Sequence, residues 1–92
     1  MLEKVIEARL RKEVQKRGGM CMKFVSPGFS GVPDRLCIID GHVFFVETKR
    51  PGEKMRALQE RRKEQIEAQG VKVFCIDSIG QIKEVLDEIH AS

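Results

Sequence analysis

Residues 31–52 read GVPDRLCIIDGHVFFVETKRPG, and the fold turns on this stretch. Its middle is apolar and its ends are charged. Residues 35–39 and 42–48 have strand composition, and Asp40-Gly41 between them suits a tight type I′ hairpin turn. A two-residue turn fixes the register. Cys37 falls opposite Phe44, Leu36 opposite Phe45 and, continuing outward, Asp34 opposite Glu47. Directly opposed side chains share a face with Cβ atoms about 4.5–5.5 Å apart, so two carboxylates placed this way repel each other.

A cation between them removes that cost. Hard oxygen ligands at this separation suit Mg²⁺ or Mn²⁺. Glu47 and Lys49 are two residues apart and point to the same face, which then carries Asp34, Glu47 and Lys49 together. Thr48 points the other way, but its backbone carbonyl is a further oxygen donor. Arg35 alternates to the opposite face and carries little weight. A metal beside a positioned lysine matches phosphodiester hydrolysis: the cation polarises the phosphoryl oxygen and acidifies a water, and the lysine orients that water or offsets developing charge.

Outward from the hairpin, Leu2, Ile6, Leu10 and Val14 recur every four residues, which predicts a helix over 2–17 stopped at Gly18-Gly19. Residues 20–26 read as a strand, and PGFSGVP (27–33) as a loop. A helix is expected over 54–69, closed by Gly70. A strand follows at 71–76, and then a helix capped by Asp77 or Ser78 that ends near Ile89. The order α-β-β-β-α-β-α over residues 1–92 describes one α/β domain with a mixed sheet, in which the 71–76 strand joins through a parallel crossover.

Composition narrows the function. The net charge is +3, but residues 49–63 carry seven basic and two acidic residues, residues 1–23 seven and three, and residues 64–92 two and six. Two basic segments and one acidic one point to a polyanion on one side of the molecule. The three cysteines, Cys21, Cys37 and Cys75, lie far apart in apolar runs. They read as buried, reduced side chains of a cytosolic protein. The first residues alternate charge and apolarity, unlike a signal peptide, and no window reaches the roughly 18 apolar residues of a membrane span.

Pro33-Asp34 followed by Glu47-Thr48-Lys49 resembles the PD-(D/E)xK nuclease signature. The longer run of KFVSPGFSGVPDR, FFVETKRPGEKMRALQ and GVKVFCID resembles the VRR-Nuc family, especially its small stand-alone phage and bacterial members. The resemblance implies a restriction-endonuclease-like core, Mg²⁺ or Mn²⁺ dependence and DNA cleavage. It also implies a homodimer akin to Holliday junction resolvases, acting in a bacterial cytoplasm from a bacterial or phage gene. By that match Asp34 and Glu47 are the metal-binding acids, with the Thr48 carbonyl beside them, and Lys49 is the catalytic lysine. Glu7 is an additional acid on the first helix. Gln59 matches a glutamine that follows the ETK strand. Spacing leans Glu7 toward the buried side of its helix, and Glu3, on the same face, is the alternative.

Lys23, Ser30, Arg50, Lys54, Arg56, Arg61, Arg62 and Lys63 are the expected DNA contacts. Contacts of this kind fix affinity and orientation and make binding salt-dependent. The near-absence of aromatics, with five Phe and no Trp or Tyr, argues against base stacking as the main mode. Recognition of shape or backbone is therefore expected, and a branched four-way junction suits two symmetric active sites. The alternatives are a non-specific, restriction or nicking endonuclease on duplex, an inactive DNA-binding module, and a regulatory domain whose acidic end binds a partner. The candidate dimer surfaces are the acidic C-terminal part and the apolar side of the first helix.

Overall fold

The structure, a computed structural model, describes residues 2–92. Three helices and four strands follow in the order α1 (Glu3–Lys16), β1 (Met20–Lys23), β2 (Arg35–Ile39), β3 (His42–Thr48), α2 (Ala57–Ala68), β4 (Lys72–Ile76) and α3 (Gly80–His90). The sheet runs β1-β2-β3-β4. Its first two pairings are antiparallel, and β3 pairs with β4 in parallel through the α2 crossover.

Asp40 (φ 48°) and Gly41 (φ 79°) both take positive φ, as a type I′ turn requires. The register follows from that turn: Ile39 faces His42, Cys37 faces Phe44 and Arg35 faces Val46. Side chains alternate accordingly. Cys37, Ile39, Phe44 and Val46 join Cys21 and Ile76 on one face of the sheet, and α1 and α3 cover them with Ile6, Leu10, Val14, Ile82, Val85, Leu86 and Ile89. The apolar side of α1 is thus core, and this removes it as a dimer surface. The other face is covered more thinly. There α2 lies against β4, Phe24 and Phe45 pair at 5.2 Å, and Met20 and Val43 remain exposed.

Element ends differ from expectation where side chains claim backbone groups. β1 stops at Lys23 because β2 begins only at Arg35; a single further bond, Phe24 N–H to the Asp34 carbonyl at 2.8 Å, closes the pair. α2 starts at Ala57 rather than 54, because the Gln59 side chain accepts from the Arg56 N–H at 2.9 Å and sets the helix start there. Neither Asp77 nor Ser78 caps α3. Both donate their N–H groups to Gln81 Oε1, while the Asp77 carboxylate accepts from the Gly52 N–H at 3.0 Å, tying the 49–56 segment to the end of β4.

Leu10 sits fully buried where α1 meets the sheet and α3. Leu10→Ala leaves a cavity that neighbours fixed to two other elements cannot fill, and a loss of about 2–5 kcal/mol is expected. Urea unfolding followed by circular dichroism measures it.

Candidate active site

The open end of the hairpin gathers residues from four elements. Asp34 stands one residue before β2, and the fully buried Pro33 fixes the chain just before it. Its backbone N–H donates to Glu47 Oε1 at 3.1 Å. Its carboxylate accepts from the Thr48 N–H at 3.1 Å and from Thr48 Oγ1 at 2.9 Å. Glu47, buried at the end of β3, also accepts from Gln59 Nε2 at 3.0 Å, and Lys49 Nζ lies 3.4 Å from it. Gln59 is in turn oriented by the Arg56 N–H, so the first turn of α2 fixes the position of Glu47.

From the other side of the sheet, α1 brings Glu7. Its Oε2 lies 3.4 Å from Thr48 Oγ1, and its Oε1 accepts from Arg35 Nη2 at 2.7 Å. It is Glu7, rather than Glu3, that comes within hydrogen-bonding reach of the Asp34 carboxyl.

Two details depart from the strand-parity expectation. Asp34 lies opposite Glu47, but it stands beyond the last paired residue, so the pleat does not direct its side chain. The carboxylate turns across the sheet end to Thr48 rather than standing beside Glu47. Thr48 therefore enters through its hydroxyl and N–H; the side chain is fully buried on the α1 side. Arg35 was the side chain underweighted by sequence reasoning. The signal was present, since a charged residue in phase with Cys37 and Ile39 faces the core and needs a partner, and Glu7 is that partner.

Electrostatically the site is strained by its own acids. Burial pushes the Asp34 carboxyl up to about 7, helped by its hydrogen bond with Glu7 and by the charge of Glu47. Burial also raises Glu47, against the opposing pull of Lys49. For Glu7, burial acts against ionisation, yet hydrogen bonds from Asp34 and Arg35 and the Arg35 charge hold it below the ordinary carboxylate value.

Among the described residues no three His, Cys, Asp or Glu side chains close around a single point. Glu7 and Asp34 form one group about the Thr48 hydroxyl, and Glu47 stands with Gln59 and Lys49. The donor set nevertheless fits a hard divalent cation. Its carboxylate oxygens are hard ligands, and burial, with the charge of Glu47 added to it, raises Asp34, a cost that such an ion relieves.

The remaining candidates lie at the end of β1, in the loop before β2, after β3 and along α2. Lys23, exposed at the end of β1, acts on Glu7 through its charge. Arg50, Lys54, Arg56 and Arg61 are exposed around the start of α2; Arg50 reaches Glu53 at 3.9 Å, and Lys63 reaches Glu67 at 3.7 Å. The Ser30 carbonyl accepts from Arg62 Nε at 2.8 Å.

The chain is 48% identical over 77 residues to a protein named "Putative nuclease p44" from Acyrthosiphon pisum secondary endosymbiont phage 1, an alignment covering 83% of each chain. A solved structure described as a "VRR_NUC domain" superposes with a TM-score of 0.86 at 29% identity, over 92% of this chain and 94% of the other. The chain belongs to the VRR-Nuc family. No family profile matches it. Its mixed four-stranded sheet and three helices are the VRR-Nuc fold, so the nuclease-like α/β architecture anticipated from the sequence is the observed one. No helix among the described residues is long and apolar enough to cross a membrane.

The raised Asp34 gives this VRR-Nuc site a pH signature. Between its ordinary value near 3.8 and about 7, folded Asp34 holds a proton that the unfolded chain has released. Stability must therefore fall as pH rises through that window, and Glu47 acts in the same direction. In EDTA, thermal unfolding should show a lower midpoint at pH 8 than at pH 5, and Asp34→Asn should flatten that slope. An unchanged slope in the variant would mean that Asp34 is not the group responsible.

Proposed function

We propose that this chain is a metal-dependent, structure-specific DNA endonuclease that hydrolyses phosphodiester bonds as a homodimer, with branched DNA such as a four-way junction as its substrate. The observation that carries this is the meeting of Asp34, Glu47 and Lys49 at one end of the hairpin, with the Gln59 amide fixing Glu47. A bound Mg²⁺ or Mn²⁺, held by Asp34 and Glu47 with Glu7 and the Thr48 carbonyl as further oxygens, would polarise the phosphoryl oxygen and acidify a water.

The chain's own groups do the rest. Lys49, anchored through its backbone N–H to the Ile76 carbonyl at 2.8 Å, presents its ammonium beside Glu47, where it orients the attacking water and offsets charge on the phosphoryl group. Gln59 keeps Glu47 from rotating away. Thr48 holds the Asp34 carboxylate by two hydrogen bonds. Lys23, Arg50, Lys54, Arg56, Arg61, Arg62 and Lys63 carry the charge that would hold a phosphate backbone near the acids. Met20 and Val43 both oppose Ile38, and the exposed apolar row they form on the thinly covered sheet face would take a second copy. The bacterial cytoplasm, where DNA and reduced cysteines coexist, is the compartment that fits this activity.

The test is cleavage of a labelled four-way junction and a linear duplex of matching sequence, in Mg²⁺, Mn²⁺ or EDTA. Paired metal-dependent cuts near the crossover are expected. Glu47→Gln should lose roughly a hundredfold or more in rate while still binding DNA, and Gln59→Ala about 10–100-fold. Equal cutting of both substrates would keep the endonuclease and remove the branch preference. Undiminished cleavage by Glu47→Gln would remove the site assignment.

A further inference from the structure

The loop between β1 and β2 carries a feature that the acids do not use. Phe29 lies in it with 46% of the residue exposed; Val25 in the same loop and Leu58 on α2 are likewise exposed. A single apolar residue on a surface needs no explanation, but this ring is held. The Arg62 guanidinium lies 3.8 Å from its centroid. Arg62 is itself fixed, with Nε donating to the Ser30 carbonyl at 2.8 Å and Nη1 donating to Gln65 Oε1 at 2.9 Å. The Phe29 N–H closes a turn onto the Ser26 carbonyl at 3.1 Å. Gly31, at φ +85°, rests directly on Leu58: a Cβ there would stand 2.8 Å from Leu58 Cγ. The loop is therefore seated on the first turn of α2, one residue from Gln59, whose amide holds Glu47.

We infer that Phe29, backed by Arg62, is a stacking platform for one unpaired nucleobase beside the scissile phosphate. This rests on the DNA-cleaving reading above and specifies what that site selects. Arg62 lies against the ring and 46% of the residue stays exposed, so a flat π surface of the size of a base can complete the stack. The cations next to it attract a phosphate backbone rather than an apolar protein segment. Every base offers a π face, so the contact is indifferent to sequence. A base in continuous duplex is already stacked on its neighbours and is not available; one at a branch, flap or gap is. Phe29 thus supplies a physical means of preferring interrupted DNA, and base stacking enters recognition even though the chain is poor in aromatics.

The absence of Trp and Tyr makes the test direct. In Phe29→Trp the introduced indole is the sole fluorophore of its kind. Its emission is titrated in EDTA, where DNA stays intact, with a continuous duplex and with a duplex of equal length carrying a single-stranded flap. Quenching by the flap DNA, and little by the duplex, is expected. In parallel, Phe29→Leu keeps apolar bulk and loses the stack. It should bind flap DNA roughly 5- to 150-fold more weakly, from about 1–3 kcal/mol per stacked base, with duplex affinity and melting temperature unchanged. Equal binding of both DNAs without quenching, or no loss in Phe29→Leu, overturns the platform and leaves the DNA reading standing. Failure of the wild-type chain to bind either DNA at low salt overturns the DNA reading and the platform with it.

Discussion

The Asp40-Gly41 turn sets one number on which the rest of the molecule depends, the pairing register of β2 and β3. A side chain in a strand has only two faces available, so a slip of one residue would exchange them all. Phe44 and Val46, now fully buried, would meet solvent, and Glu47 and Lys49 would face the apolar sides of α1 and α3. The register therefore has two independent locks. The positive φ at both turn residues selects it locally, and the burial of one face against two helices selects it globally. The acids at the far end of the hairpin inherit their position from a turn at the opposite end of both strands.

That end of the sheet is costly to assemble, because it buries carboxylates. Asp34 and Glu47 are both raised by burial, and the hydrogen bonds that reach them come from groups the fold already commits: the Asp34 and Thr48 N–H groups, the Thr48 hydroxyl, the Gln59 amide and the Lys49 ammonium. The asymmetry of the fold lets it carry this cost. The α1/α3 side concentrates the apolar burial, and the α2 side holds polar side chains such as Gln59 with little core of its own. The apolar core thus lies on one face of the four-stranded sheet, and the acids gather at its end, Glu7 from the α1 side and Glu47 from the α2 side.

Much of this was legible in the sequence. The strands, the turn, the core stripe Ile6-Leu10-Val14 and the opposition of Asp34 to Glu47 all follow from period, turn chemistry and register. What was not legible has a common cause. Strand parity describes residues inside a ladder, and Asp34 lies just outside one, so its carboxylate found Thr48 instead of the side of Glu47. Helix starts are set by the side chains that claim free N–H groups, and neither Gln59 at α2 nor Gln81 at α3 announces itself as a cap in the manner of Ser, Thr, Asp or Asn. Whether a phenylalanine in a loop is buried cannot be read from composition, so Phe29 passed unnoticed among five. The pairing of Arg35 with Glu7 joins residues 28 apart through the packing of α1 on the sheet, which no local pattern encodes.

The first turn of α2 is where these threads meet. Leu58 supports Gly31 and with it the Phe29 loop, and Gln59, the next residue, orients Glu47. Adjacent residues in a helix point about 100° apart, so one turn serves two directions at once, outward to the loop and inward to the acid. A displacement of α2 would shift both together. The α2 N-terminus is also anchored from behind, since the preceding segment is tied through the Gly52 N–H to Asp77 at the end of β4. The loop that carries Phe29 and the carboxylate of Glu47 are therefore referenced to the same rigid element. In a chain of 92 residues, one helical turn is enough to hold the loop and the acid in a fixed relation.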